Sequence, residues 1–525
     1  MDTSCYTCRR RRIECRMDQP PCRKCTQAGL ECTQTRPLRW AKGATYRTKK
    51  TEKMAANKTV VSKKTTLFGP RLAARDVSHV QPATHPGSAL VTNGEDREYY
   101  FRPTPITQLD DPLLSNLDET TRYYLDYYSR CVCKLFIMYD STVNPLRNVI
   151  GAAFDSPLLL SSIIALSSRH RANSKLSYSQ GRLVTSSTIL TDTDHTALRF
   201  KHKTLRGLSD AVNDPQLRAL DATVTSAFLL LFLDLLESGS GTWNIHLEGV
   251  KKLITQIETH TRPKGTVQQD FGTYLTSIRE FVSRQVYVIE NLGPTYANPE
   301  LLSNTPIGPI PLRATKQPLQ QKLEHSYLGC PEYILDALGA FSSSRDFLLS
   351  SRPRSEADLE TRIHRIDDVL RSMETFDCDS WAATLPRLPS TSVQIQELSK
   401  LAESYKLGAQ IYGRRILDAL IAEETSQDHL VRRLISVIHE LESDANLFKC
   451  ILWPMVIAGL ESREQVHRKF ISGCLEKFWL ETRCLNVVNT GTILRRVWQW
   501  EEREDSTPRL WIFRIGQLGG DWLLV

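Results

Sequence analysis

The stretch CYTCRRRRIECRMDQPPCRKCTQAGLEC, residues 5–32, holds six of the chain's thirteen cysteines and seven of its lysines and arginines, and no histidine. Its spacing reads Cys5-x2-Cys8-x6-Cys15, a gap, then Cys22-x2-Cys25-x6-Cys32, so the second triplet is the first displaced by 17 residues. C-x2-C lets two thiolates of one tight turn grip the same ion, and a third returns after a short helix. Six thiolates cannot give each of two ions four separate ligands. Tetrahedral coordination of both therefore requires two sulfurs to bridge, most economically one from each repeat. A single ion on Cys5, Cys8, Cys22 and Cys25 would leave Cys15 and Cys32 idle, although both obey the repeat. A histidine-containing finger is excluded locally, because the first histidine is His79. A redox or storage thiol cluster explains neither the repeat nor the arginines. Zinc is the default ion for thiolate-rich tetrahedral sites, and two ions per chain are expected.

So short a segment has too few large apolar residues to offset its chain entropy with a core. Structural zinc supplies on the order of 10 kcal/mol in small peptides, so the metal is expected to fold this module. The chain around it is long, at 525 residues, with 41% hydrophobic and 24% charged residues, enough to bury a large core in further domains. The N-terminus lacks the apolar run of a signal peptide. The longest apolar run, Ala227 to Leu233, ends at Asp234 and falls well short of the roughly 20 residues a bilayer requires. A soluble, intracellular protein with no membrane partner is expected, and in a reducing compartment clustered thiols read as metal ligands. The other seven cysteines (Cys131, Cys133, Cys330, Cys378, Cys450, Cys474 and Cys484) follow no ligand spacing and read as small core residues.

Charge is divided unevenly. Residues 1–75 carry 19 Lys and Arg against 5 Asp and Glu, whereas the remaining residues carry 48 against 54. A basic head on a mildly acidic body points to a polyanion-binding module joined to something else. Within the head, RRRRIE separates Cys8 from Cys15, and the helix starting near Cys8 would fan Arg9, Arg10, Arg11 and Arg12 in four directions. One or two can enter a DNA groove while the others grip phosphates. The guanidinium fork matches the O6 and N7 acceptors of guanine in the major groove.

These residues resemble the zinc binuclear cluster DNA-binding domain of fungal transcription factors, whose pattern is C-x2-C-R-x-(R/K)-(R/K)-x-K-C, a proline-containing loop and C-x2-C-x6-C. All six cysteines, the basic helix and Pro20 match. The resemblance implies that Cys5 and Cys22 bridge two zinc ions. It also implies that Arg12, with Arg11, faces the bases of CGG-like triplets while Arg9 holds the backbone. Arg10, Arg16, Arg23 and Lys24 complete the expected DNA-contacting set. Glu14 stands where the family usually has Lys or Arg, and Arg16 follows Cys15 where an acidic residue is common. Glu14 removes a phosphate contact that Arg16 can restore.

The expected organisation is a cluster domain over 1–36, a basic linker over 37–98 and an all-α regulatory domain over 99–525. Between Thr33 and Glu98 there are four leucines and no heptad. The chain is therefore expected to bind DNA as a monomer or to pair through its large domain. Beyond, apolar residues recur at helical spacing over 155–170, 195–213, 275–291, 395–421, 428–445 and 463–480. AFLLLFLDLL reads as a buried helix stopped by Gly239 to Gly241. Trp243, Leu247, Val250 and Ile254 then line one helix face, with Lys251 and Lys252 assigned to the opposite one. TPIGPIPL (305–312) reads as a rigid loop. NPLR at Asn144 to Arg147, ALSSRHR, WNIHLEGVKKLI and WPMVIAGLE resemble the helical regulatory domain of fungal factors of the acriflavine-sensitivity-control type, over most of residues 115–500.

No Walker loop, G-x-G-x-x-G, H-E-x-x-H or G-x-S-x-G is present. His246 reads as a hydrogen-bonded core or surface residue, and Asp377-x-Asp379 as a polar loop. Trp453, Trp479, Trp498 and Trp500 read as core, with room for a ligand pocket among their helices. The chain is thus expected to be no enzyme but a nuclear, sequence-specific transcription factor acting on RNA polymerase II genes. Its partners would be double-stranded DNA and the transcription machinery, and its role drug resistance or a biosynthetic gene cluster. Two alternatives compete: a zinc-headed interaction scaffold, and a thiol-based metal or redox sensor.

Overall fold

The computed structural model describes residues 5, 7, 8, 11, 13, 15, 21–29 and 32 of the head, and 117–179, 182–184, 191–241, 243–260, 272–297, 326–350, 355–385, 395–503, 511–515 and 521–525 of the body. The linker 37–98 and the 305–312 loop lie outside the described residues. In the head, α1 spans Arg23–Gln27. The first half of the body contains α2 (Glu119–Tyr127), α3 (Pro145–Ala153), α4 (Pro157–Asn173), α5 (Asp192–Asn213), α6 (Asp221–Glu237), α7 (Trp243–His260) and α8 (Gly272–Leu292). The second half contains α9 (Glu332–Leu349), α10 (Glu356–Glu374), α11 (Cys378–Thr384), α12 (Ile395–Ile421), α13 (Asp428–Leu441), α14 (Leu452–Glu461), α15 (Gln465–Thr482) and α16 (Leu485–Arg503). Single helical turns join some of these. Among the described residues the one sheet is a hairpin, β1 (Ser177–Ser179) antiparallel to β2 (Arg182–Val184), with Tyr178 opposite Leu183. None of the described helices is long and apolar enough to cross a membrane.

Local chemistry sets the helix ends. Ser156 accepts from the Leu159 N–H ahead of Pro157, and Thr191 with Asp194 forms a reciprocal capping box at the start of α5. Asp377, the first carboxylate of the D-x-D pair, accepts from the N–H groups of Asp379 and Ser380 and so caps α11. Helix α4 can be buried despite its serines because three of its four serine hydroxyls, those of Ser161, Ser162 and Ser168, donate back along the helix. Ser161 donates to the Pro157 carbonyl at 2.9 Å and Ser162 to that of Leu158 at 2.9 Å.

Two long helices organise the core. Helix α6 is buried all round and packs against α4, α7, α8 and α16, which explains a sequence with no polar face. Helix α12 packs against α9, α10, α11, α13 and α14. Its Gly413 admits the Phe341 ring of α9, which would stand 2.5 Å from a Cβ there. Trp453 of α14 lies against Gly408 and stacks on Tyr405 at 6.1 Å between ring centroids. Helix α16 touches both α6 and α14, linking the two halves.

The turn after α6 holds a second set of long-range contacts. Gly239 and Gly241 adopt φ of 67° and 87°, a region that favours glycine. The Gly239 carbonyl accepts from the Leu523 N–H at 2.6 Å, and the Asp521 carbonyl accepts from the Gly241 N–H and from Trp243 Nε1. Leu523, Leu524 and Val525 are buried, and Asn486 of α16 donates to the carbonyls of Leu523 and Val525.

One assignment is corrected. Lys251 does not take the solvent face of α7. It is buried, with Nζ 2.7 Å from Glu290 of α8 and 3.0 Å from Glu248. Two carboxylates supply the counter-charge that lets a lysine enter the helix interface.

Burial also sets a pH response. His170, at the end of α4, has Nδ1 2.9 Å from the Tyr127 hydroxyl. Burial, reinforced by nearby Arg483, lowers its pKa to about 4. The unfolded chain therefore takes up a proton below the ordinary histidine range, near 6.5, that the folded chain refuses. The stability this residue confers is complete above about pH 6.5 and is lost as pH falls towards 4. Urea midpoints for the wild type should fall between pH 7 and 5 by more than those of His170→Gln. Equal falls would refute the assignment.

Candidate metal centre and nucleic-acid interface

The head folds around its sulfurs. Thr7 and Cys8 lie in a helical turn, closed by the Arg11 N–H donating to the carbonyls of Thr7 and Cys8. In the second repeat, Cys22 precedes α1, and its carbonyl accepts from the Cys25 and Thr26 N–H groups at 3.0 and 3.1 Å. Each C-x2-C thus sits on a helix start, as the repeat requires. Cys5, Cys8, Cys15, Cys22 and Cys25 are buried, and Cys32 is partly so, in a segment with no other described apolar core.

The sulfurs form two quartets. Cys5, Cys8, Cys15 and Cys22 lie within 4.8 Å of one another, as do Cys5, Cys22, Cys25 and Cys32. Cys5 and Cys22 belong to both and are 3.7 Å apart. Cys5–Cys25, Cys8–Cys22 and Cys8–Cys25 are also 3.7 Å apart, and Cys5–Cys15 is 3.8 Å. A tetrahedron with zinc–sulfur bonds of about 2.3 Å has edges of about 3.8 Å, so the donor set fits zinc. The four mutual contacts of Cys5, Cys8, Cys22 and Cys25 would also suit one ion. What they leave unexplained is Cys15 and Cys32, each drawn into its own quartet.

Backbone groups turn towards the sulfurs. The Cys8 N–H donates to Cys5 Sγ at 3.3 Å, the Cys5 N–H to Cys15 Sγ at 3.3 Å and the Cys22 N–H to Cys32 Sγ at 3.2 Å. The Cys25 backbone N–H pulls the Cys22 thiol down to about 6, while burial pushes Cys8 up to about 12. Burial would also raise Cys5, but the Cys8 N–H and side chain outweigh it and the Cys5 thiol is lowered. Cys5 and Cys22, the sulfurs common to both quartets, are thus both lowered.

Of the expected DNA-contacting residues, Arg11, Arg23 and Lys24 are exposed, Arg23 and Lys24 in the first turn of α1. Arg9, Arg10, Arg12 and Arg16 lie outside the described residues.

The body holds no comparable cluster among its described residues. His246 is buried with Nδ1 2.7 Å from Asp234 Oδ2, a pair that pins α7 to α6. The scattered cysteines are buried or partly buried and unpaired by disulfides. Trp453, Trp479 and Trp498 are core residues, Trp498 donating to the Gly459 carbonyl at 2.8 Å, and Trp500 packs at the core edge. A cleft of about 490 Å³ lies away from them, lined by Arg147, Asn148, Asp155, Thr225 and Ile278 among others.

Comparison with known proteins agrees with this division. Residues 123–524 match the fungal specific transcription factor domain, and residues 3–41 match the fungal Zn(2)-Cys(6) binuclear cluster domain. The chain is similar to acriflavine sensitivity control protein acr-2 of Neurospora crassa, at 23% identity over 546 residues that cover 90% of this chain and 87% of that protein. No solved structure matches.

Proposed function

Because the chain belongs to the fungal transcription factor family defined by its helical domain and carries a Zn(2)-Cys(6) cluster, we propose that it is a nuclear, sequence-specific regulator of genes transcribed by RNA polymerase II. The observation that carries this reading is the pair of sulfur quartets sharing Cys5 and Cys22, beside exposed Arg11, Arg23 and Lys24. The cluster domain takes residues 1–36, the linker 37–98 and the regulatory domain 99–525.

In this proposal Cys5, Cys8, Cys15, Cys22, Cys25 and Cys32 would hold two zinc ions, with Cys5 and Cys22 common to both sulfur quartets, and the ions would supply the scaffold. The protein groups do the reading. Arg12, with Arg11, addresses guanine edges in CGG-like triplets, while Arg9, Arg10, Arg16, Arg23 and Lys24 hold phosphates. The linker lysines add salt-dependent affinity. The helical body receives a signal or meets the transcription machinery, and pairing, where it occurs, runs through that body. Likeness to a protein named for acriflavine sensitivity favours a response to toxic compounds over control of a biosynthetic cluster.

The test measures zinc per chain on the full-length protein, and its affinity for a CGG-containing duplex against a scrambled one across a salt series. Two zinc ions and at least a tenfold preference, about 1.4 kcal/mol, support a sequence reader. Equal affinity for both duplexes refutes sequence reading by the cluster and leaves the scaffold. Zinc release under mild oxidation with loss of DNA binding would identify a thiol sensor. The residue roles separate further. Arg12→Ala should cost about 1–3 kcal/mol on the preferred site and relax specificity there, while Lys49→Ala weakens all sequences alike. Equal losses on preferred and random duplexes from both variants would overturn the assignment.

A further inference from the structure

Helix α5 carries a cationic stripe that packing does not use. Arg199, Lys203 and Arg206 recur at i, i+4 and i+7 and are all exposed. At about 1.5 Å per residue the stripe is about 10 Å long. Of the acidic residues of α5, Asp192 and Asp210 are exposed on the same face at its two ends, seven residues before Arg199 and four after Arg206, and Asp194 is taken by Thr191 and Arg169.

The contrast within the helix is informative. Lys201, on the inner side, pairs with Glu237 of α6. Among the described residues no carboxylate lies within ion-pair distance of Arg199, Lys203 or Arg206. Half-buried Phe200 sits under two of them, with the Arg199 guanidinium 5.0 Å and the Lys203 ammonium 5.8 Å from its ring centroid. The ring limits the freedom of both cations, so less entropy is lost when they meet an anion. Outside residues 1–75 acidic residues outnumber basic ones, 54 to 48, so the stripe is a local departure from its surroundings.

We infer that this face of α5 is a second, sequence-independent DNA-contacting surface, gripping the phosphate backbone while the cluster reads bases. A strand presents one charge per about 3.4 Å of duplex axis, so the stripe is long enough to run past about three phosphates. An acidic protein would match the charge but also needs an apolar interface core. On this helix the one large exposed apolar side chain is Leu198. The inference rests on the DNA-binding role of the head, which brings the body to a duplex at high effective concentration.

The test uses full-length protein on a random-sequence duplex of about 30 base pairs, with affinity read against salt. Each phosphate contact contributes about 0.9 to the log–log slope, so R199Q/K203Q/R206Q should lower it by about 2–3. It should also lose affinity tenfold or more at low salt. The charge-preserving R199K/R206K should keep the wild-type slope. Should the triple variant fail to fold, the three single variants decide, each expected to lower the slope by about 0.9. An unchanged slope overturns the inference, whether or not the same substitutions weaken binding to poly-glutamate, the result expected if the stripe faces an acidic protein. Failure of the head is read separately, from whether the full-length Cys22→Ser chain still binds DNA as well as the wild type.

Discussion

Cys22→Ser is expected to strip both zinc ions from the chain, whereas Cys15→Ser strips one. Cys22 belongs to both sulfur quartets, while Cys15 belongs to one. Serine offers a hydroxyl that stays protonated at neutral pH where zinc needs a thiolate, so a shared position breaks two coordination shells at once. The head has no other described apolar core to fall back on. With structural zinc worth on the order of 10 kcal/mol, losing both ions should unfold the head and reduce affinity for the preferred duplex by at least about 100-fold. The body, with its own core, should keep its helicity. Native mass spectrometry counts the ions and circular dichroism follows the body. One zinc per wild-type chain, left intact in Cys15→Ser, would establish the single-ion site on Cys5, Cys8, Cys22 and Cys25 instead.

In the body the largest single loss is expected from Glu461→Ala. Glu461 closes α14 with its carboxylate fully buried. It accepts from Arg415 Nε at 3.1 Å, from Arg415 Nη2, and from Trp511 Nε1 at 2.8 Å. Arg415 also meets Asp418 Oδ2 at 2.9 Å and the Thr425 carbonyl at 2.9 Å. Removing Glu461 leaves the buried guanidinium with Asp418 and the more distant Glu424 to balance it and frees the indole N–H of Trp511. Breaking a buried pair from one side typically costs about 3–5 kcal/mol. Glu461→Gln, which still accepts from Trp511, should cost less. Urea unfolding followed by far-UV circular dichroism reads both, and a loss below about 1 kcal/mol for the alanine variant would mean that the site relaxes around its charge.

The cluster was legible because metal geometry imposes spacing directly on sequence. Both C-x2-C-x6-C triplets return as quartets of close sulfurs, and the choice of Cys5 and Cys22 as the shared pair came from family resemblance. Long helices were legible for a related reason: a buried stripe needs apolar residues every three or four positions. The 395–421 pattern became Ile395–Ile421, and 155–170 became Pro157–Asn173 once Ser156 and Pro157 fixed its start.

Other features depend on partners distant in sequence. Lys251 looked solvent-facing because its two carboxylates, on α7 and α8, come together only when the helices pack. Helix α10 went unread because its buried residues are few, Ile366, Leu370 and Met373 on an otherwise polar helix. The Ser177–Val184 hairpin is too short for alternation to register. Arg415 and Glu461 lie 46 residues apart, and nothing in either neighbourhood announces the other.

The clasp between Gly239–Trp243 and residues 521–525 bears on how the chain is made. Trp243 leaves the ribosome 278 residues before Asp521, which accepts from its indole. At about 5–20 residues per second that is a wait of roughly 15 to 60 seconds, during which the end of α6 and the start of α7 lack the segment that covers them. Asn173 waits longer still for the Arg483 carbonyl, 310 residues downstream. A nascent body of this kind holds apolar surface open until residues 521–525 have emerged, so its yield in the cell should depend on chaperones that shelter unfinished chains.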